Sequence, residues 1–241
     1  MLKQFENHIV GILHTFAATQ AEALHAAAVA AVEAIARGNQ FYAVGTGHSH
    51  MVGEEFFARA GGLACVKLIA PMELTLGEHP MKSTKIERIG EYAQVVLTQY
   101  GLKTGDVLLI SSNSGRNAMI VELALECRRR GITTIGFTNL NHSRQVTSRH
   151  ESGLRLFEVC DIVLDNCGCE GDAAMELPGV RGKMGASSSI VGMFMAQSLS
   201  MEIAGELARR NLEVPVFLSS NLDDGDAWNR QIMEKYYGVS L

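Results

Sequence analysis

The chain has 241 residues, 47% of them apolar and 20% charged, and carries a net charge of −5. At roughly 150 residues per domain this is a single folded domain with a substantial core, and neither a disordered nor a fibrous chain. An acidic balance gives no general attraction to nucleic acid or anionic lipid, so neither is expected as a partner.

The first 37 residues read as one or two helices. From Ala21 to Arg37 the residues Leu24, Ala28, Ala31, Val32 and Ile35 recur at helical spacing, and Gly38 and Asn39 supply a stop. Phe41 to Val44 is a short strand, and Ser49 to Ala60 is helical. Cys65 to Ala70 is a second strand, closed by Pro71, and Ile86 to Tyr100 is a helix. Asp106 to Ile110 is the third strand, followed by the loop Ser111 to Gly115 and a helix through Arg130. Thr133 to Phe137 and Asp161 to Asp165 are the fourth and fifth strands. Ala186 to Arg210 is a long helix, Val214 to Leu218 a short edge strand, and Asp226 to Tyr236 a closing helix. Residues 71–90, with Glu73, Glu78, His79 and Lys82, form an irregular insertion, by default a surface excursion and alternatively a segment that closes over the substrate.

Strands alternating with helices predict an α/β, three-layer sandwich around a five-stranded parallel sheet, with residues 1–241 as one domain. Right-handed crossovers then gather the strand C-termini on one edge, where open α/β sheets bind ligands. No segment is built to span a bilayer. The stretch Met184 to Met201 lacks charge but holds five serines and Gln197. The N-terminus lacks the apolar core of a signal peptide, and five cysteines suit free thiols in a reducing cytoplasm. Cys167 and Cys169 lack a second ligand pair, so they read as structural thiols and not as a zinc site.

Two loops carry the chemistry. Gly45, Thr46, Gly47, His48, Ser49 and His50 form a strand-to-helix turn in which glycines admit a close ligand and the new helix aims free N–H groups at it. Ser112, Asn113, Ser114, Gly115 and Asn117 repeat the device after the third strand, with more hydroxyl and amide donors than a helix cap needs. No dinucleotide or Walker motif is present, so a monophosphate is the expected guest and no cofactor is called for.

These three glycine-bearing strand ends, including Asp165, Asn166 and the run to Asp172, resemble the sugar isomerase (SIS) domain over roughly residues 20–210. Gly47 to His50, Ser148 to Gly153 and Pro215 to Asn221 look like a bacterial branch of that family whose members are labelled phosphosugar or phosphoheptose isomerases. The resemblance implies a flavodoxin-like sheet, a sugar phosphate held by the second loop, and a homodimer or homotetramer with sites at its interfaces. It also implies substrate contact near the start of the long helix, with Ser187 as the candidate. Phosphoheptose isomerases hold zinc with His and Glu four residues apart; the matching positions here are Glu55 and Arg59, and the later helix has no His, so no metal is expected.

Aldose–ketose isomerisation needs a base that moves a proton between adjacent carbons and an acid at the carbonyl. Glu55 is the candidate base and His48 the candidate shuttle. Thr46, Gly47, Ser49, Ser112, Asn113, Ser114, Gly115, Asn117 and Ser187 are the candidate ligand contacts. His142, Arg149 and His150 are candidates for reaching a neighbouring subunit. A non-catalytic phosphosugar sensor and a lyase or hydrolase of amino-sugar phosphates are the alternatives.

Overall fold

The computed structural model describes residues 1–79, 81–223 and 225–238. Helices α1 (Leu2–Thr19) and α2 (Ala21–Ala36) precede strand β1 (Phe41–Gly45). Then follow α3 (His50–Phe56), β2 (Val66–Ile69), α4 (Lys82–Ile86), α5 (Tyr92–Gln99), β3 (Val107–Ser111) and α6 (Ala118–Arg129). Strand β4 (Thr133–Thr138) leads to two short helices, α7 (Leu140–Ser143) and α8 (Leu156–Val159), and to β5 (Ile162–Asp165). Strands β6 (Ala173–Met175) and β7 (Met184–Ala186) pair antiparallel, and α9 (Ser188–Arg209) and α10 (Gly225–Tyr237) complete the order.

Five strands make one parallel sheet in the order β2-β1-β3-β4-β5, in flavodoxin-like fashion. The chain leaves β1 for one side of the sheet and then returns to the other, so the crevice between β1 and β3 is the topological switch point.

Side chains alternate across the strands and build two cores. Phe41, Ala43, Val107 and Leu109 face α1, α2, α3 and α9, whose contributions include Phe16, Ala28, Ala31, Phe56 and Leu199. Tyr42, Val44, Leu108 and Ile110 face α5, α6 and α8, meeting Val96, Leu97, Ile120, Leu123 and Leu156. Small residues set the spacing of the first layer. The buried stripe Ala27, Ala28, Ala31 and Ala34 on α2 lets helix and sheet approach closely, and Gly192 brings α9 onto Val52 of α3. At the sheet's N-terminal edge, buried Asp106 accepts from the Gln40 N–H at 2.9 Å and the Lys103 N–H at 2.8 Å, tying β1 to β3.

Four local differences from the sequence reading have physical causes. The helix expected from Ser49 to Ala60 ends at Phe56, because the chain turns sharply at Ala58 (φ 46°). The helix expected from Ile86 to Tyr100 is broken by a turn around Gly90, a poor helix residue, so α4 stops at Ile86 and α5 starts at Tyr92. Val214 to Leu218 joins no sheet; it pairs with the loop at Gly61 to Ala64 through one bridge, Leu63 with Val216. Strands β6 and β7 were not legible as a hairpin, being only three residues each. Among the described residues no helix is long and apolar enough to cross a membrane.

Candidate functional site

The loop after β3 is held by its carbonyls. The Asn113 carbonyl accepts from the Asn139 N–H at 3.1 Å and from Thr138 Oγ1 at 3.2 Å. The Ser114 carbonyl accepts from Ser143 Oγ at 2.8 Å, and the Gly115 carbonyl from the Leu156 N–H at 2.8 Å. Gly115 adopts φ 58°, and a Cβ there would crowd Leu156, Ser143 and Thr138. With its carbonyls bonded into the protein, the loop is left with amides to offer a ligand. The N–H groups of Ser114, Arg116, Asn117 and Ala118 have no acceptor among the described residues. They stand at the start of the twelve-residue α6, where the helix dipole adds positive potential. Ser112 Oγ accepts from the Gly115 N–H at 3.2 Å and keeps its own proton to donate.

The loop after β1 approaches from the other side of the switch point. Gly45 leaves no room for a Cβ beneath the Ser49 carbonyl, and Gly47 takes φ 56°. Thr46 is buried, and its Oγ1 donates to Glu87 Oε2 at 2.7 Å. His48 is exposed, whereas His50 is held by the Gly47 carbonyl and lies 3.4 Å from Glu54. Ser49 lines a narrow cleft of about 10 Å³ with Ser111, Asn113, Asn166, Ser188 and Ser189. That cleft leaves room for about one water molecule. It is closed partly by Asn166, whose Nδ2 donates to Asn113 Oδ1 at 2.8 Å.

The start of α9 reaches the same cleft through Ser188 and Ser189, whereas Ser187 and Glu55 are engaged by the protein's own side chains. Ser187 is fully buried, and both its N–H and Oγ donate to Asp172 Oδ1, at 3.0 and 3.3 Å. Ser188 adds its N–H at 2.8 Å and its Oγ at 2.6 Å, so the Asp172 carboxylate already occupies the start of α9. Glu55 pairs with Arg59 and accepts from Gln197 Nε2 at 2.8 Å, locking α3 to α9. Among the described residues no three His, Cys, Asp or Glu side chains come together at metal-binding distance.

Glu87 is the site residue that the sequence did not single out. It lies in the turn that breaks the expected helix, and its carbonyl accepts from the Met119 N–H in the first turn of α6 at 3.1 Å. Burial pushes its carboxyl above the ordinary value, against the opposing pull of Thr46, Asn117, Arg88 and Arg149. Arg149 Nη1 donates to Asn117 Oδ1 at 2.7 Å, so Thr46, Glu87, Asn117 and Arg149 form one polar chain across the crevice. His150 anchors the loop that carries Arg149: its Nε2 contacts Glu122 Oε2 on α6 at 2.8 Å. The sequence signal for Glu87 was its place in the excursion of residues 71–90, which overlaps the start of the helix expected from Ile86.

The comparisons agree with this architecture. Residues 4–139 match the SIS domain. A UPF0309 protein of Halalkalibacterium halodurans is 44% identical over 93% of this chain and 93% of its own length. A second, from Shouchella clausii, is 39% identical over 98% of this chain and 96% of its own. The phosphoheptose isomerase GmhA of Neisseria gonorrhoeae superposes with a TM-score of 0.59 at 14% identity, over 85% of this chain and 97% of that one. The Vibrio vulnificus NanR protein, complexed with ManNAc-6P, superposes with a TM-score of 0.52 at 15% identity, over 87% of this chain and 64% of that one. The chain therefore belongs to the SIS-domain family, among the UPF0309 proteins.

Proposed function

We propose that this protein binds a sugar monophosphate at the crevice between β1 and β3 and interconverts its aldose and ketose forms through an enediol. The observation that carries this reading is the juxtaposition of amides at the start of α6 with the raised carboxyl of Glu87 across the same crevice. Amides and the hydroxyls of Ser112 and Ser114 take the phosphate. Glu87 moves the proton between the two carbons, and a carboxylate whose pKa lies above the ordinary value is the better base. We place Glu87 ahead of Glu55, whose carboxylate is occupied by Arg59 and Gln197. His48, exposed at the mouth of the first loop, is the group we assign to the carbonyl oxygen. We further propose a homodimer or homotetramer that uses the apolar side chains left exposed on α9, Ile190, Phe194 and Met201, and closes the crevice with a second copy.

The second reading is a sensor that binds the same ligand unchanged. It is favoured by the fold shared with NanR and by the hydrogen bonds that already engage Glu87. A thermal-shift screen of sugar phosphates identifies ligands, and proton NMR in heavy water then decides between the readings. Deuterium entering the carbon beside the carbonyl is expected. Turnover without exchange rejects the enediol, and binding with neither turnover nor exchange establishes the sensor.

A further inference from the structure

Arg116 in the phosphate loop and Arg149 bound to that loop have no ion-pair partner among the described residues, and Arg88 neighbours them as the residue after Glu87. Arg149 is fixed there twice, by Nη1 on Asn117 and by its N–H on the Arg116 carbonyl at 2.8 Å. Arg116 Nη2 donates to Thr147 Oγ1 at 3.2 Å, and its Nε is buried with no acceptor among the described residues. Arg88 follows Glu87 and is exposed. No carboxylate among the described residues lies within ion-pair distance of Arg88, Arg116 or Arg149; the same holds for Arg128, Arg144, Arg181 and Arg230, and what sets Arg116 and Arg149 apart is their direct attachment to the phosphate loop. The three share one electrostatic field. The Arg149 guanidinium is depressed below its ordinary pKa by burial, then by Arg116 and Arg88, with only Glu87 opposing.

Gathering like charges costs free energy unless an anion repays it, and the one carboxylate that acts on Arg149, Glu87, lies beyond ion-pair distance of it. The phosphate of a monophosphate ester is already served by the uncharged amides and hydroxyls of the loop. A guanidinium fork matches a carboxylate or a phosphate with two parallel hydrogen bonds. We propose that Arg88, Arg116 and Arg149 form a subsite for a second anionic group, carboxylate or phosphate, on the sugar phosphate. The substrate class is then a sugar-acid phosphate or a sugar bisphosphate. This rests on the reading of the site as a phosphosugar crevice.

The test is calorimetric titration of the full chain with two matched pairs: glucose 1-phosphate against glucuronic acid 1-phosphate, and fructose 6-phosphate against fructose 1,6-bisphosphate. The first pair reports a carboxylate and the second a phosphate. In at least one pair the doubly anionic member is expected to bind roughly tenfold tighter, or more, a margin that shrinks with added salt. Arg149→Gln and Arg88→Gln are each expected to reduce that margin severalfold. Arg88 is exposed, so its variant guards against a folding defect. Equal affinity within each pair, with at least one monophosphate bound, overturns the subsite and leaves the phosphosugar reading standing. A margin unchanged in both variants removes these arginines from it. Binding by none of the four compounds overturns the subsite, and the phosphosugar reading is then decided by the thermal-shift screen alone.

Discussion

Thr46 Oγ1 donates to Glu87 Oε2 at 2.7 Å, joining the turn after β1 to a turn 41 residues further on. This bond draws a carboxylate over the topological switch point, where the amides at the start of α6 also converge. It gives the glycine-rich turn a purpose beyond geometry: the turn presents a hydroxyl that orients the carboxylate.

Glu87→Gln removes the proton acceptor while leaving an amide able to bond to Thr46. Turnover of an identified ligand is expected to fall by about two to four orders of magnitude, the usual contribution of a positioned base, with affinity little changed. Unaltered turnover removes Glu87 from the mechanism.

The same variant has a sign in stability. A carboxyl whose pKa is raised by folding favours the folded state most below its unfolded pKa, and this contribution is lost as pH rises through the folded value. Glu87→Gln is therefore expected to melt higher than the parent at pH 8, and to lose that advantage near pH 4. Thermal melts across this range check it; an advantage that grows in acid contradicts the burial argument.

Glu55→Gln tests the competing carboxylate. It weakens one part-buried ion pair, so a loss of about 1 kcal/mol and a melting temperature lower by about 2–4 °C are expected, with turnover retained. Lost turnover in a folded Glu55→Gln protein would return the role of base to Glu55.

Asp172→Asn replaces the carboxylate that receives four donors from Ser187 and Ser188 at the start of α9. About 1 kcal/mol of destabilisation is expected from the weaker cap and the lost charge at the helix end, read from a denaturant midpoint. Affinity for a sugar phosphate is expected to be preserved, because the proposed cradle lies at α6; a large loss of affinity would relocate it to α9.

Burial pushes the thiols of Cys65, Cys127 and Cys160 up to about 12. Native protein treated with iodoacetamide at pH 8 is expected to label at the half-buried Cys167 and Cys169 before the fully buried Cys65 and Cys127, which react only after unfolding. Peptide mass mapping reads the order.

Much of the architecture was legible because its signals are local. The alanine stripe of α2, the apolar run Val107 to Ile110 and the glycines at 45, 47 and 115 each state their conformation within a few residues, and the SIS resemblance rested on those same loops. The donors of the second loop were legible for that reason too. Val214 to Leu218 misled because an apolar run containing Pro215 does not say what it will pair with.

Periodicity and loop chemistry alone thus determined a parallel sheet with two donor-rich turns at one edge. Only the tertiary structure decided which charges face those turns. Glu87 is an ordinary polar letter in the chain and Arg149 a candidate without a stated neighbour, and the break near Gly90 and the loop pinned by His150 to Glu122 bring both to Asn117. Electrostatic fields depend on distance through space, and distance along the sequence does not encode it.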